Sequence, residues 1–293
     1  MELRNLRTFI TICETGSFSK AAERLGYTQS TVTAQMKQLE EELGTELFDR
    51  SGKRFDISEK GRSLLPYANR LITTEQEARD VVSDTETVSG ALRIGVIESV
   101  GTYVLPGILK TFMKQYPQVD IHVWTATTRE IMTMLDQNRL DMILTLDEKV
   151  IKDNWACLFE KSDDIVFLCS REHKFANKKD ISLGDVLEEN IILTEPECNY
   201  RVTFERICNT SDHRITSNLD IGCTKTILDF TEDDLGITFL PQVTAANRLR
   251  AGTLSSFSVK GAHMSMLIQL IRRTDKYYSP AMKKFADVVS ASF

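Results

Sequence analysis

Residues 16–44, GSFSKAAERLGYTQSTVTAQMKQLEEELG, decide how this chain is read. They fit two short helices around a tight turn. Ala21, Ala22 and Leu25 share one face of the first helix, and the adjacent alanines allow close helix–helix approach. Gly26 can take the left-handed conformation that stops that helix, and the next begins at Thr28 or Gln29. Val32, Met36, Leu39 and Leu43 recur every three or four residues and form a buried face. The other face shows Gln29, Ser30, Thr31, Thr33, Ala34, Gln35 and Lys37. Most are hydrogen-bonding side chains suited to base edges and phosphates. This is the helix-turn-helix pattern, whose second helix enters the major groove of double-stranded DNA. An ordinary αα-hairpin shares the periodicity.

The flanks favour DNA. Leu3, Leu6, Phe9, Ile10 and Cys13 make the apolar stripe of a preceding helix. After Leu47-Phe48, the stretch Asp49-Arg50-Ser51-Gly52-Lys53-Arg54-Phe55 places a glycine turn among basic residues. That fits a β-wing whose Arg50, Lys53 and Arg54 reach phosphate or the minor groove.

The first sixty positions resemble the N-terminal domain of LysR-type transcriptional regulators, and the likeness continues more loosely along the chain. It implies a winged helix-turn-helix, a long dimerising linker helix and a C-terminal effector-binding domain. Relatives often carry Arg where this chain has Ala34.

The charge balance opposes the DNA reading. The 293 residues carry a net charge of -6, and residues 1–60 are about neutral. Affinity must then come from placed contacts and from two half-sites, not from bulk charge. No run of 18 apolar residues exists to span a membrane, and no basic-then-apolar leader opens the chain, so a cytoplasmic location is expected. The six cysteines, Cys13, Cys157, Cys169, Cys198, Cys208 and Cys223, form no CxxC pair and no zinc-type spacing with histidine. No metal and no cofactor is expected. GxSxG, GxGxxG and the Walker loop are missing, so no catalytic residue is assigned and no enzyme is expected.

Ser58 can cap a helix from Glu59 to about Thr87. Its seam of Leu64, Ala68, Leu71, Ile72, Glu75, Ala78 and Val82 predicts packing on a second copy. Pro66 falls inside it. After Ser89-Gly90, strands alternate with helices, which implies parallel sheet covered on both faces. The expected fold is therefore multidomain, α followed by α/β. It comprises a winged helix-turn-helix over residues 1–58 and a linker helix over 59–89. Two Rossmann-like subdomains of the periplasmic-binding-protein type follow, one from 90–161 plus 264–293 and one from 162–263.

In open parallel sheets ligands sit beyond the carboxyl ends of strands. Four segments qualify, and the resemblance favours the first three, through Ser99, Thr128 and the loop of Cys198 and Arg201. The four contribute Ser99 and Val100; Thr127 and Thr128; Cys198, Asn199, Tyr200 and Arg201; and Cys223 and Thr224. Thr127 with Glu130 also fits a capping box. Arg201 could pair with a ligand carboxylate or anchor its own loop. Relatives have a Gly-rich loop where this chain has Glu197, Cys198 and Asn199, and small residues where it has Asp233 and Asp234.

The expectation is a DNA-binding transcription regulator switched by a small polar or anionic metabolite held between the subdomains. The alternative is a thiol-based peroxide sensor. Cys198 stands where a peroxide-sensing branch of the family carries its reactive thiol, with Cys208 as resolving partner. Expected partners are double-stranded DNA, the small-molecule effector and a second copy through the linker helix. The resemblance extends this to a homotetramer and to RNA polymerase.

Overall fold

The computed structural model describes residues 1–49, 56–82, 87–211, 215 and 219–293. The chain divides into two compact units, one built on Met1–Thr87 and one on Val88–Leu135 with Leu140–Phe293. Each is described by itself.

The first unit opens with three helices, α1 (Leu3–Thr15), α2 (Phe18–Leu25) and α3 (Gln29–Leu43). Local chemistry sets their ends. Ser17 accepts a hydrogen bond from Lys20 N–H at the start of α2, and Thr28 accepts one from Thr31 N–H at the start of α3. Gly26 lies at φ +67°, a left-handed conformation that reverses the chain between the two helices. Two short strands, β1 (Phe48–Asp49) and β2 (Asp56–Ile57), pair antiparallel as the stem of the wing. Arg50, Lys53 and Arg54 lie outside the described residues.

Leu6, Phe9, Ile12, Ala21, Ala22, Val32, Met36, Leu39, Leu47 and Phe48 form the core, with the Phe48 ring between Phe9 and Phe18. A domain this small needs one more apolar face. It comes from α4 (Glu59–Val82), which Ser58 caps through Gly61 N–H at 3.0 Å and which contains Pro66. Ala68 is fully buried, and Leu64, Leu65 and Ile72 pack on the same core. Part of the seam expected to face a second copy therefore belongs to the domain's own core. Tyr67, Leu71 and Val82 remain exposed.

The second unit begins with β3 (Gly90–Val96), α5 (Glu98–Tyr103), α6 (Leu105–Gln115), β4 (Val119–Thr125), α7 (Thr128–Asp136) and β5 (Met142–Asp147). β4, β3 and β5 lie side by side and parallel. Gly95 in β3 admits the packing of Ile131 and Leu140, because a Cβ there would overlap both side chains. The chain then enters β6 (Trp155–Ser170), a single strand of 16 residues. After it come α8 (Leu183–Leu187), β7 (Ile192–Leu193), α9 (Asn199–Thr210), β8 (Leu219–Asp220), α10 (Thr224–Glu232), β9 (Thr238–Pro241), α11 (Gln242–Ala251) and β10 (Leu254–Phe257). Last are β11 (Met264–Arg273) and α12 (Pro280–Ala291).

Two lobes share the strands β6 and β11. β11 pairs antiparallel with β5 in the first lobe and with β6 along Trp155–Ile165. The far end of β6 pairs antiparallel with β9 and β10 in the second lobe. The expected boundary at 161/162 thus falls inside a continuous strand. The expected all-parallel arrangement holds for β3, β4 and β5 and for β7 with β8, while the crossing strands and their partners are antiparallel. α12 returns to the first lobe, where Phe285 meets Phe112 of α6.

Candidate functional site

Two surfaces carry the residues singled out from sequence. On α3, Gln29, Ser30, Thr31, Thr33, Ala34 and Lys37 are exposed. Ser30, Thr33, Ala34 and Lys37 recur at helical spacing and form one outward stripe. Gln35 does not belong to it. Its side chain is buried and accepts a 2.6 Å hydrogen bond from the Thr8 hydroxyl, tying α3 to α1. Gln29 receives a hydrogen bond from Ser19 at 3.0 Å, which orients it at the exposed start of the helix.

The second surface is a cleft of about 330 Å³ between the two lobes of the C-terminal unit. It is large enough for a small metabolite. The first lobe supplies Ile97, Glu98 and Ser99 after β3, Thr125 to Thr128 after β4, Glu130 in α7 and Leu146 in β5. The second supplies Thr194, Glu195, Glu197 to Tyr200, Gly222 and Thr224. These lie where the strand-end rule places a ligand, because β3, β4, β7 and β8 all aim their carboxyl ends at the cleft.

Side chains already bridge the gap. Asn199 Nδ2 donates to Thr128 Oγ1 at 3.0 Å and to the Leu146 carbonyl at 3.4 Å. Thr224 donates its hydroxyl to Glu98 Oε2 at 2.7 Å, and its backbone N–H reaches the same oxygen. Thr127 and Glu130 form the expected capping box. Glu130 accepts from the Thr127 N–H and hydroxyl, and Thr127 Oγ1 accepts from Glu130 N–H. Those bonds, from the backbone first and the hydroxyl second, hold the Glu130 carboxyl below its ordinary pKa.

Of the ten residues proposed for ligand binding, Ser99, Thr127, Thr128, Cys198, Asn199, Tyr200 and Thr224 line the cleft. Three do not. Val100 is fully buried in the core behind it, because its position on α5 points inward. Cys223 is exposed as the residue before α10, and its side chain takes no part in the wall. Arg201 is buried beneath the loop. It donates to the Thr194 carbonyl and to Glu205 and is ion-paired with Asp220 at 3.1 Å. Its guanidinium is spent on holding β7, β8 and α9 together, so Arg201 is the anchor of its loop.

Glu98, Glu130, Glu195 and Glu197 are wall residues absent from the expected ligand set, although three lie in the strand-end segments and Glu197 stands out in sequence as an acid in place of a small residue. Among the described residues none of the four forms an ion pair.

Cys198 and Cys208 sit in surroundings that disfavour thiolate. Burial pushes the Cys198 thiol up, and Glu195 adds to the rise. Cys208 is fully buried in the core and burial pushes it up to about 11. The two are ten residues apart along α9, about 15 Å at the helical rise. A disulfide needs Cα atoms within about 7 Å, so the pair can bridge only if α9 unwinds.

Among the described residues no helix is long and apolar enough to cross a membrane. Residues 3–62 match the family model described as bacterial regulatory helix-turn-helix protein, lysR family, and residues 85–293 match the LysR substrate binding domain. The chain is 34% identical over 295 residues to the uncharacterized HTH-type transcriptional regulator YwqM of Bacillus subtilis, covering 100% of each. It is 30% identical to the regulator CzcR of Bacillus cereus, over 99% of this chain and 97% of that one. In structure it resembles a full-length OxyR variant of Pseudomonas aeruginosa, with a TM-score of 0.79 over 99% of this chain and 94% of the other. At 19% identity that likeness is one of fold. With both halves of the chain matched and a relative aligned from end to end, this protein belongs to the LysR family of DNA-binding transcription regulators.

Proposed function

We propose that this chain is an effector-gated regulator. Its α3 stripe reads a half-site in the major groove, and a small molecule in the inter-lobe cleft sets its activity. The observation that carries the reading is the set of hydrogen bonds across the cleft, Asn199 to Thr128 and Leu146, and Thr224 to Glu98. A molecule entering there must replace or reinforce these bonds, and so biases the angle between the lobes. Ser30, Thr33 and Lys37 contact DNA, with Gln29 at the helix start. Two copies meet through the exposed part of α4, including Tyr67, Leu71 and Val82, and pairs of dimers give a tetramer on DNA. The protein acts in the cytoplasm, with RNA polymerase as its downstream partner.

Operator footprints test this directly. Asn199→Ala and Glu98→Ala each remove a cross-cleft bond, and neither residue belongs to the N-terminal unit. The expected result is an altered footprint length or spacing with the same selected half-site. Footprints identical to wild type in both variants would overturn the gating role of the cleft.

A further inference from the structure

We infer that the ligand of this cleft is a small organic cation, bearing an ammonium or guanidinium group and no net negative charge. The inference rests on the reading of the cleft as the effector site. Four carboxylates, Glu98, Glu130, Glu195 and Glu197, line its walls, and among the described residues no lysine or arginine does. The basic residues nearest in sequence are occupied or turned away. Arg201 lies behind the wall with Glu205 and Asp220, Lys225 is paired with Asp229, and Arg129 is exposed outside the cleft.

The opposing argument is that helix N-termini attract anions. Here α5, α7, α9 and α10 all begin at the cleft. At about half a charge each, these ends offset about two of the four carboxylates. Two of them are also already served from within the protein. Glu130 caps α7, and Glu98 accepts from Thr224 N–H at the start of α10. An incoming anion would find those ends taken and meet Glu195 and Glu197 as well.

A second observation points to a ligand with a polar group. Thr194 is only 4% exposed, lines the cleft, and its hydroxyl has no hydrogen bond of normal geometry. The Cys198 thiol is the polar group beside it. Buried polar groups are normally satisfied, so a ligand atom or an ordered water is due there. The same negative field reaches the buried Tyr200 hydroxyl. Burial raises its pKa most, the Cys198 thiol beside it comes next, and Glu195 and Glu98 add the smallest part. A bare metal ion is not the occupant that fits. Among the described residues no three carboxylate, cysteine or histidine groups converge closely enough to hold one.

The test uses the full-length protein at about 0.15 M salt, where weak surface attraction is screened. The probes are 1,4-diaminobutane and agmatine, with succinate and butane-1,4-diol as anionic and neutral controls of similar length. Thermal shift and titration calorimetry are run on wild type and on Glu195→Gln/Glu197→Gln, which leaves the capping carboxylates in place. The expected result is a rise in Tm of several degrees with a cation only, and binding at least tenfold weaker in the double variant. Stabilisation by succinate or the diol with the cations silent would overturn the cationic ligand while keeping the cleft as effector site. Cation binding equal in wild type and variant would place the ligand elsewhere and overturn the reading of the cleft. No response to either cation would also overturn the inference.

Discussion

Asp141→Asn is the substitution from which the C-terminal unit should lose most. Asp141 immediately precedes β5 and is 4% exposed. Its carboxylate accepts from Arg93 N–H at 2.7 Å and from the Arg93 guanidinium at 3.1 Å. Lys276, itself 8% exposed, reaches the same carboxylate at 2.5 Å and the Leu140 carbonyl at 3.1 Å. Burial alone would raise the Asp141 pKa. The Arg93 and Lys276 charges overcome it and hold the carboxyl at about 2, against an ordinary 3.8. That depression corresponds to roughly 2.5 kcal/mol of stability. It is fully present above the ordinary value and disappears as the pH falls through about 2.

The amide also strands the Lys276 ammonium in the interior, and removing one partner of a buried pair typically costs about 3–5 kcal/mol. Arg93 N–H can still be accepted by an asparagine oxygen, so we take the lower end, about 3 kcal/mol. For a unit of this size the Tm then falls by roughly 6–12 °C. Adding Lys276→Met should return part of the loss, since it removes the stranded charge. Calorimetry of wild type, both single variants and the double variant at pH 7 gives the coupling. Repeating wild type and Asp141→Asn between pH 4 and pH 2 should show the gap narrowing. A loss below about 1 kcal/mol at pH 7, or a gap constant down to pH 2, would refute the assignment of Asp141 as an ionised keystone.

Gly61→Ala should lower the Tm of the N-terminal unit by an amount matching roughly 2 kcal/mol, because its methyl would press on the Leu47 carbonyl and lie 2.7 Å from Ile57 Cγ1. An unchanged melting curve would refute the close approach. Gln35→Ala should cost about 1–2 kcal/mol and leave the selected DNA motif intact, whereas Lys37→Ala should weaken binding to all sequences and reduce the salt slope by about one. A shifted motif in the Gln35 variant would return that residue to the DNA surface. Arg201→Met should destabilise by about 1–2 kcal/mol, discounted for the exposed carboxylates it pairs with, and full stability in a denaturant titration would contradict its anchoring role. Peroxide treatment of the folded protein should give no Cys198–Cys208 linkage by peptide mass spectrometry; such a linkage would show that α9 opens under native conditions.

The winged domain was legible because its signals are local. Ser17, Gly26 and Thr28 punctuate the helices within a few residues of themselves, and the apolar spacing around them needs no distant partner. β6 was legible only in its last third. Its first ten residues, WACLFEKSDD, include Lys161, Asp163 and Asp164, and they are strand because β11 lies beside them more than a hundred positions later. α5 is not announced by its sequence, since six residues containing Gly101 and two β-branched side chains have little intrinsic helicity. α11 has no clear apolar face to announce it, and its ends are set by Pro241 and Gly252. The strand-end rule picks out the loops that line the cleft but not the sign of their charge. Arg201 looked available because its partner Asp220 comes from β8, and nothing in the local sequence pairs them.

The crossing of the lobes sets what kind of motion an effector can drive. β6 and β11 run antiparallel and stay hydrogen-bonded from Trp155 to Ile165, with one irregularity between Leu270 and Ile271. Such a ribbon behaves as a torsion bar. It can wind or unwind a little without losing a ladder bond, whereas sliding one lobe past the other would break the ladder. In the effector-gated reading proposed above, the signal leaving the cleft is a rotation of small amplitude, stored elastically in this ribbon and returned when the ligand departs.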